Sequence, residues 1–279
     1  MNVGIVSTFI KWIILYFFTL FTNVNRVYFL KGYVMKTIYK TIGAAKEYCE
    51  YAVDIYENCP HRCSYCYAKK KIEDRNGDFK FEGARKNIIE ETENYLKLNN
   101  DKVGEMVFLG FSSDAFPADD DCSKTLEMTK LLKKYGHKIM LCTKGSLRNE
   151  NIKETIKLAD SIGITITCGD DMAKIYEEFA SSVTKRLELL KFAHECGKET
   201  WISFEPVLDA NFVINLISSG EVDFIDVAKL GKLNHMELSD LTGNEKDVID
   251  WADYAKKVIK ACNERKINYK VKYALSKFL

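Results

Sequence analysis

The chain has little net charge, only four histidines and three prolines, and no stretch of low complexity. Lys and Arg number 41 against 40 Asp and Glu, a formal net charge of +1. Such a balance excludes bulk electrostatic attraction to nucleic acid or to an anionic membrane and leaves only a local basic patch for that purpose. After Met35 there is no Pro/Gly-rich linker and no internal repeat, so residues 35–279 read as one domain. A second C-x-x-C pair is also lacking, which argues against a zinc site built from two ligand pairs and against an auxiliary cluster. Of the nine cysteines, three lie within eight residues and six are scattered, a pattern of metal ligation plus buried thiols rather than a disulfide framework. The expected compartment is reducing and cytoplasmic.

Residues 1–34 differ from the rest. The run Phe9 to Phe21 is apolar and aromatic, broken by Lys11, and close to the lower limit for spanning a bilayer. No basic residue precedes it and no small-residue cleavage site stands out, so a cleaved secretory signal fits poorly. Two readings remain: a membrane anchor through residues 9–21, or sequence upstream of a start at Met35, the latter being preferred.

From Ala52 onward, short β-rich apolar runs alternate with amphipathic helical stretches, as in repeated βα units around a parallel sheet. Strands are expected at Ala52–Tyr56, Glu105–Gly110, Lys138–Thr143, Gly163–Thr167, Thr200–Phe204 and Asp223–Ala228. Helices are expected near Ala84–Leu98, Ser123–Tyr135, Asn149–Ala159, Val183–Cys196, Asn211–Ser218 and Val248–Arg265, with a closing strand at Tyr269–Tyr273. The fold class implied is α/β, an incomplete (βα)6 barrel of TIM type.

The strongest chemical signal is Asn58-Cys59-Pro60-His61-Arg62-Cys63-Ser64-Tyr65-Cys66-Tyr67-Ala68, just past the first expected strand, where α/β barrels carry their active-site loops. Three thiolates so closely spaced can hold three corners of an iron–sulfur cube and leave one iron open for a chelating ligand. Zinc would need a fourth ligand, recruited from His61 or a distant cysteine.

With C-x-x-x-C-x-aromatic-C in this position, the sequence resembles the radical S-adenosylmethionine (SAM) superfamily, and within it the spore photoproduct lyase-like branch. Phe111-Ser112-Ser113-Asp114-Ala115-Phe116-Pro117, Leu141-Cys142-Thr143-Lys144-Gly145 and Trp201-Ile202-Ser203-Phe204-Glu205-Pro206-Val207 carry the likeness across residues 35–279. It implies a [4Fe-4S] cluster on Cys59, Cys63 and Cys66, and SAM cleaved reductively to a 5′-deoxyadenosyl radical that abstracts hydrogen from a substrate the sequence does not name. It further implies Tyr65 beside the adenine, Gly110 and Ser112 at the methionyl amino group, Lys144 at the SAM carboxylate, Thr165 at the ribose and Glu205 touching SAM or substrate. Arg186 resembles an arginine recurrent in the branch, a helix-surface salt bridge being the alternative. Lys229, Gly231 and Lys232 follow the last expected barrel strand and are candidates for an anionic substrate or the SAM carboxylate. An electron donor such as flavodoxin or ferredoxin is implied as partner, with nucleic acid among the candidate substrates.

The branch places a hydrogen-donating cysteine just before the Ser-Asp segment, and here that position is Phe111. Cys122 would serve instead only if its loop folded back over the barrel mouth. The departure weakens a DNA-repair lyase assignment. A non-enzymatic iron–sulfur redox sensor, which needs no SAM pocket, is the alternative from another class.

Overall fold

A computed structural model of the chain describes residues 37–73, 79–99, 104–234 and 236–279. The apolar run at 9–21 and the Met35 start lie outside them. No helix among the described residues is long and apolar enough to cross a membrane.

One eight-stranded sheet organises the described chain, with strand order equal to sequence order: β1 (Tyr39–Lys40), β2 (Tyr51–Val53), β3 (Met106–Leu109), β4 (Lys138–Thr143), β5 (Ser161–Thr165), β6 (Glu199–Phe204), β7 (Val227–Leu230) and β8 (Tyr269–Val271). β1 pairs antiparallel with β2, and every later pair is parallel. Helices α1 (Tyr67–Glu73), α2 (Ile88–Leu98), α3 (Ser123–Lys134), α4 (Glu150–Leu158), α5 (Asp170–Tyr176), α6 (Val183–Glu195), α7 (Ala210–Ser219), α8 (Leu238–Thr242), α9 (Trp251–Arg265) and α10 (Tyr273–Ser276) fill the connections. β1 and β8 are the two edges and share no ladder, so the barrel is incomplete, as the alternating pattern implied.

Side chains alternate across a strand, and here the alternation sorts the apolar residues into two clusters. Val53, Val107, Leu109, Ile139, Leu141, Ile162, Ile164, Ile202, Phe204, Ala228 and Leu230 form the large core shared with the helices. Their strand neighbours Ala52, Phe108 and Trp201, with Cys49, form a second cluster on the other face. Tyr48 shows that this second face is concave. Its ring meets Phe108 of β3, Trp201 of β6 and the Lys229 ammonium of β7, strands that are not all sheet neighbours. Tyr48 ends a 3-10 turn at Gly43–Glu47 that lies across the open seam: Lys270 of β8 donates to the Glu47 carbonyl at 2.9 Å, and the Tyr273 amide to its carboxylate at 3.2 Å.

Several boundaries differ from those expected. The first expected strand, β2, stops at Val53 rather than Tyr56, because the Asp54 carboxylate takes the Phe111 and Ser112 amides at 2.8 and 2.9 Å and Tyr56 keeps only an isolated bridge to Ala84. The expected strand Gly163–Thr167 starts two residues earlier and ends at Thr165; the Thr167 carbonyl turns away to accept the Leu208 and Asp209 amides. Asp223–Ala228 shifts to Val227–Leu230, since Gly220–Ile225 is spent on turn bonds and Asp226 takes the Thr200 amide at 2.6 Å. α9 starts at Trp251, not Val248, where Asp250 caps the Ala252 and Asp253 amides. β1, α1, α5, α8 and α10 are too short for a periodic signal and went unanticipated.

Gly163 illustrates how tightly the concave face is filled. A methyl added there would stand 2.4 Å from the Trp201 ring, which Ser161 holds through its indole N–H at 3.0 Å. Gly163→Ala is expected to cost about 1–3 kcal/mol through overpacking, read as a lowered midpoint in thermal unfolding; an unchanged midpoint would mean the indole moves freely.

Candidate active site

The cysteine loop leaves the C-terminal end of β2 and runs into α1. Asn58 and Arg62 both adopt left-handed backbone (φ 61° and 49°), which folds the loop twice within five residues. Cys66 donates its amide to the Cys63 carbonyl at 3.1 Å, and its own carbonyl starts α1 by accepting from Lys70. Cys63 is buried, Cys59 and Cys66 are partly so, and all three thiols are free.

Two partners fix the loop from outside. The segment after β5 donates the Phe179 amide to His61 at 3.3 Å and accepts the Ser64 amide at the Tyr176 carbonyl at 2.9 Å. The buried His61 ring sets Nδ1 3.4 Å from Asp114, while its Nε2 is buried without a partner among the described residues. Asp114 also accepts the Thr143 hydroxyl at 2.5 Å and the Phe116 and Lys144 amides, each at 2.8 Å. Burial opposes its ionisation, but these partners, His61 foremost, hold its carboxyl well below the usual carboxylate range.

Beside the thiols stands a buried charge network. Tyr65 donates to Glu177, whose other oxygen pairs with the Arg186 guanidinium; Thr167 adds a bond at 2.9 Å. Arg186 is 1% exposed and also donates to the Thr165 and Ser181 carbonyls at 2.9 and 2.7 Å. The helix-surface alternative for Arg186 is therefore overturned: α6 turns this residue into the core because Glu177 awaits it there. Burial pushes the Glu177 carboxyl up, and Arg186 and Lys144 more than reverse that, leaving it lowered. The Lys144 ammonium lies 5.5 Å from the Tyr65 ring centroid. Burial would lower it, yet the Cys63 and Glu177 groups raise it, so Lys144 stays protonated.

The remaining expected residues line the same end of the sheet. Gly110 has φ +83°, and a Cβ there would meet the Ser113 carbonyl oxygen at 3.1 Å. Its turn hangs on Asp54, and Tyr67, directly after Cys66, donates to the Phe111 carbonyl. The Ser113 hydroxyl in this turn is buried without a partner among the described residues. Thr165 sits 3.4 Å from the Cys142 sulfur. Glu205 is held by Tyr48 at 3.1 Å, Asn234 at 2.7 Å and Lys272. Lys144, Tyr65 and the cysteine loop thus meet directly, while Glu205 belongs to a second group across the barrel.

Other sequence candidates fall elsewhere. Cys122 is fully buried in the outer core before α3, with Arg148 donating to its sulfur at 3.0 Å, and does not reach the mouth. Lys232 turns away to the Trp251 and Phe278 rings. Phe111 stacks on Phe108 at 4.0 Å between centroids. Among the described residues no three His, Cys, Asp or Glu side chains converge as ligands of one metal ion. A cluster does not require that convergence, since it spreads its thiolates over separate irons.

Residues 53–209, more than half of the chain, match the family model for the Radical SAM superfamily. The chain belongs to that superfamily. Among solved structures, a spore photoproduct lyase variant with bound SAM and a dinucleoside spore photoproduct superposes with a TM-score of 0.63 at 11% identity, covering 84% of this chain and 79% of that one. SuiB of Streptococcus suis bound to SAM gives 0.55 at 15% identity, over 79% of this chain and 49% of SuiB. At these identities the likeness is one of fold. No curated protein matches the chain by sequence. Membership in the radical SAM superfamily makes this an enzyme of radical chemistry that works with SAM and an iron–sulfur cluster and needs a reductant and a substrate.

Sequence reasoning missed Glu177, Tyr48 and Lys272. Glu177 bonds Tyr65 across 112 residues and Lys272 bonds Glu205 across 67, so no local period announces them.

Proposed function

We propose that Cys59, Cys63 and Cys66 hold a [4Fe-4S] cluster, and that the end of the barrel beside them binds SAM for reductive cleavage and hydrogen abstraction from a substrate. The observation that carries this reading is the meeting of a three-cysteine loop with the half-buried Lys144 ammonium, 5.5 Å from the Tyr65 ring centroid, at the C-terminal end of a mostly parallel sheet. When bound, the cluster supplies the electron that splits SAM and releases the 5′-deoxyadenosyl radical.

The chain's own residues supply position and charge. Burial pushes the Cys63 thiol up to about 11, with Lys144 pulling the other way, so the free thiol is protonated at neutral pH and gives up that proton on ligating iron. The unpartnered Nε2 of His61 and Oγ of Ser113 are polar atoms left for a bound group. Lys144 offers a point charge to a carboxylate, and the tight turn at Gly110 brings backbone close to a small ammonium-bearing group. Tyr65, fixed by Glu177, presents a ring for an adenine; Thr165 offers a hydroxyl to the ribose; Glu205 faces the substrate side. Residues 35–279 act in this reading as one catalytic domain, with flavodoxin or ferredoxin as electron donor. A DNA-repair lyase reading is weaker: the Phe111 ring, packed on Phe108, has no weakly held hydrogen to return to a product radical.

The test is anaerobic reconstitution of the full chain with iron and sulfide, reduction with dithionite in the presence of SAM, and chromatography for 5′-deoxyadenosine. Release of that nucleoside is expected. A bound cluster that leaves SAM intact would favour the redox-sensor alternative.

A further inference from the structure

The register of the sheet sets Thr165 of β5 opposite Ser203 of β6, Ser203 opposite Lys229 of β7, and Lys229 opposite Lys270 of β8. One row of side chains thus runs from the proposed ribose residue to Lys229. Lys229 is 8% exposed, and its ammonium lies 3.3 Å from the Trp201 ring centroid and 4.8 Å from that of Tyr48. No carboxylate or hydrogen-bond acceptor among the described residues takes it. The aromatic faces offset only part of the cost of removing an ammonium from water.

The neighbours explain why no internal partner serves. Glu205, the carboxylate at the end of β6, is spent on Lys272, Tyr48 and Asn234. β8 adds Lys270, which donates to the Glu47 carbonyl. β4 contributes the Cys142 thiol, the segment before β2 contributes Cys49, and Glu199 stands at the far end of β6. Around Lys229 this wall sets Lys270 and Lys272 against two carboxylates, Glu205, already engaged by Lys272, and Glu199, at the far end of β6. Burial lowers Lys229 to about 8, helped by Lys270 and Lys272 and opposed by Cys142 and Glu199.

We propose that Lys229 is the docking point for an anionic group of the substrate, a carboxylate or a phosphate, which enters the barrel mouth and completes the ion pair that the fold leaves open. The proposal rests on the radical SAM reading and names the substrate class of that site. An anion held there stands two strands from Thr165, beside the place where the hydrogen-abstracting radical would form.

Competitive labelling of amines in the anaerobic full-length protein tests it, with the Lys229 peptide followed by mass spectrometry across pH. Inorganic phosphate, succinate and SAM are added in separate arms. The expected result is labelling with a midpoint near 8, slowed about tenfold or more by whichever anion pairs with the ammonium, because an opposite charge raises such a pKa by about 1–3 units. Exposed Lys97 in the same digest should be unaffected. Protection by phosphate or by succinate names the source of the charge. Three results overturn the proposal: no protection by either anion, protection by SAM alone, or no labelling up to about pH 10, where a reachable lysine reacts. Release of 5′-deoxyadenosine by the same preparation reports separately on the radical reading.

Discussion

Cys59→Ala, Cys63→Ala and Cys66→Ala are each expected to reduce 5′-deoxyadenosine release below about one-hundredth of the parent chain, since loss of an outer-shell partner of a metal ligand alone costs about 10–100-fold. Bound iron and the visible absorption of the reconstituted protein should fall with it. Cys262→Ala provides the contrast. That thiol is fully buried in α9 against the outer core, and its removal should cost about 1 kcal/mol of packing while sparing SAM cleavage. Full activity in any one of the three loop variants would remove that residue from the ligand set. Loss of activity in Cys262→Ala at unchanged stability would put a scattered cysteine into it.

The second large effect is expected at the pair formed by Glu177 and Arg186. Both side chains are sealed from solvent, so Arg186→Met leaves a buried carboxylate facing only Tyr65, Thr167 and Lys144. Breaking such a pair from one side costs about 3–5 kcal/mol, or a fall in melting temperature of the order of 10 °C for a domain of this size. Combining Arg186→Met with Glu177→Gln should recover much of the loss, because the two charges then disappear together. A shift of about 1 °C or less in the single variant would show that the guanidinium is replaceable. The variant should also free the Cys59–Cys66 loop, since the segment carrying Glu177 is the one bonded to His61 and Ser64.

The pair also marks the limit of what the sequence discloses. The cysteine loop was legible because its ligands are local, and β4 because its apolar run ends at Gly136 on one side and Lys144 on the other. The candidate residues Gly110, Ser112, Lys144 and Thr165 stand at or just past strand ends, which the βα alternation locates even when a boundary slips by two residues. Arg186 was ambiguous from sequence because a helical arginine among leucines looks alike on a surface and in a core; only Glu177, brought in by a separate loop, decides between them. Tyr48 offers less still. It precedes the first expected strand and looks like any aromatic residue in a connecting stretch, yet it is the ring on which Lys229 and Lys272 both rest. Partners that meet through the rolling of the sheet have no signature in the spacing of residues along it.

The turn at Gly43–Glu47 gives the barrel a clasp. Elsewhere around the wall, adjacent strands are joined by ladders that open only by unfolding. At the seam the ends are held by the Lys270 and Tyr273 bonds to Glu47, each worth about 1 kcal/mol on a surface, with Tyr48 as the pin pushed through to the inside. Among the described residues a hoop fastened in this way has its weakest joint at that seam, which lies beside the wall that carries Lys229.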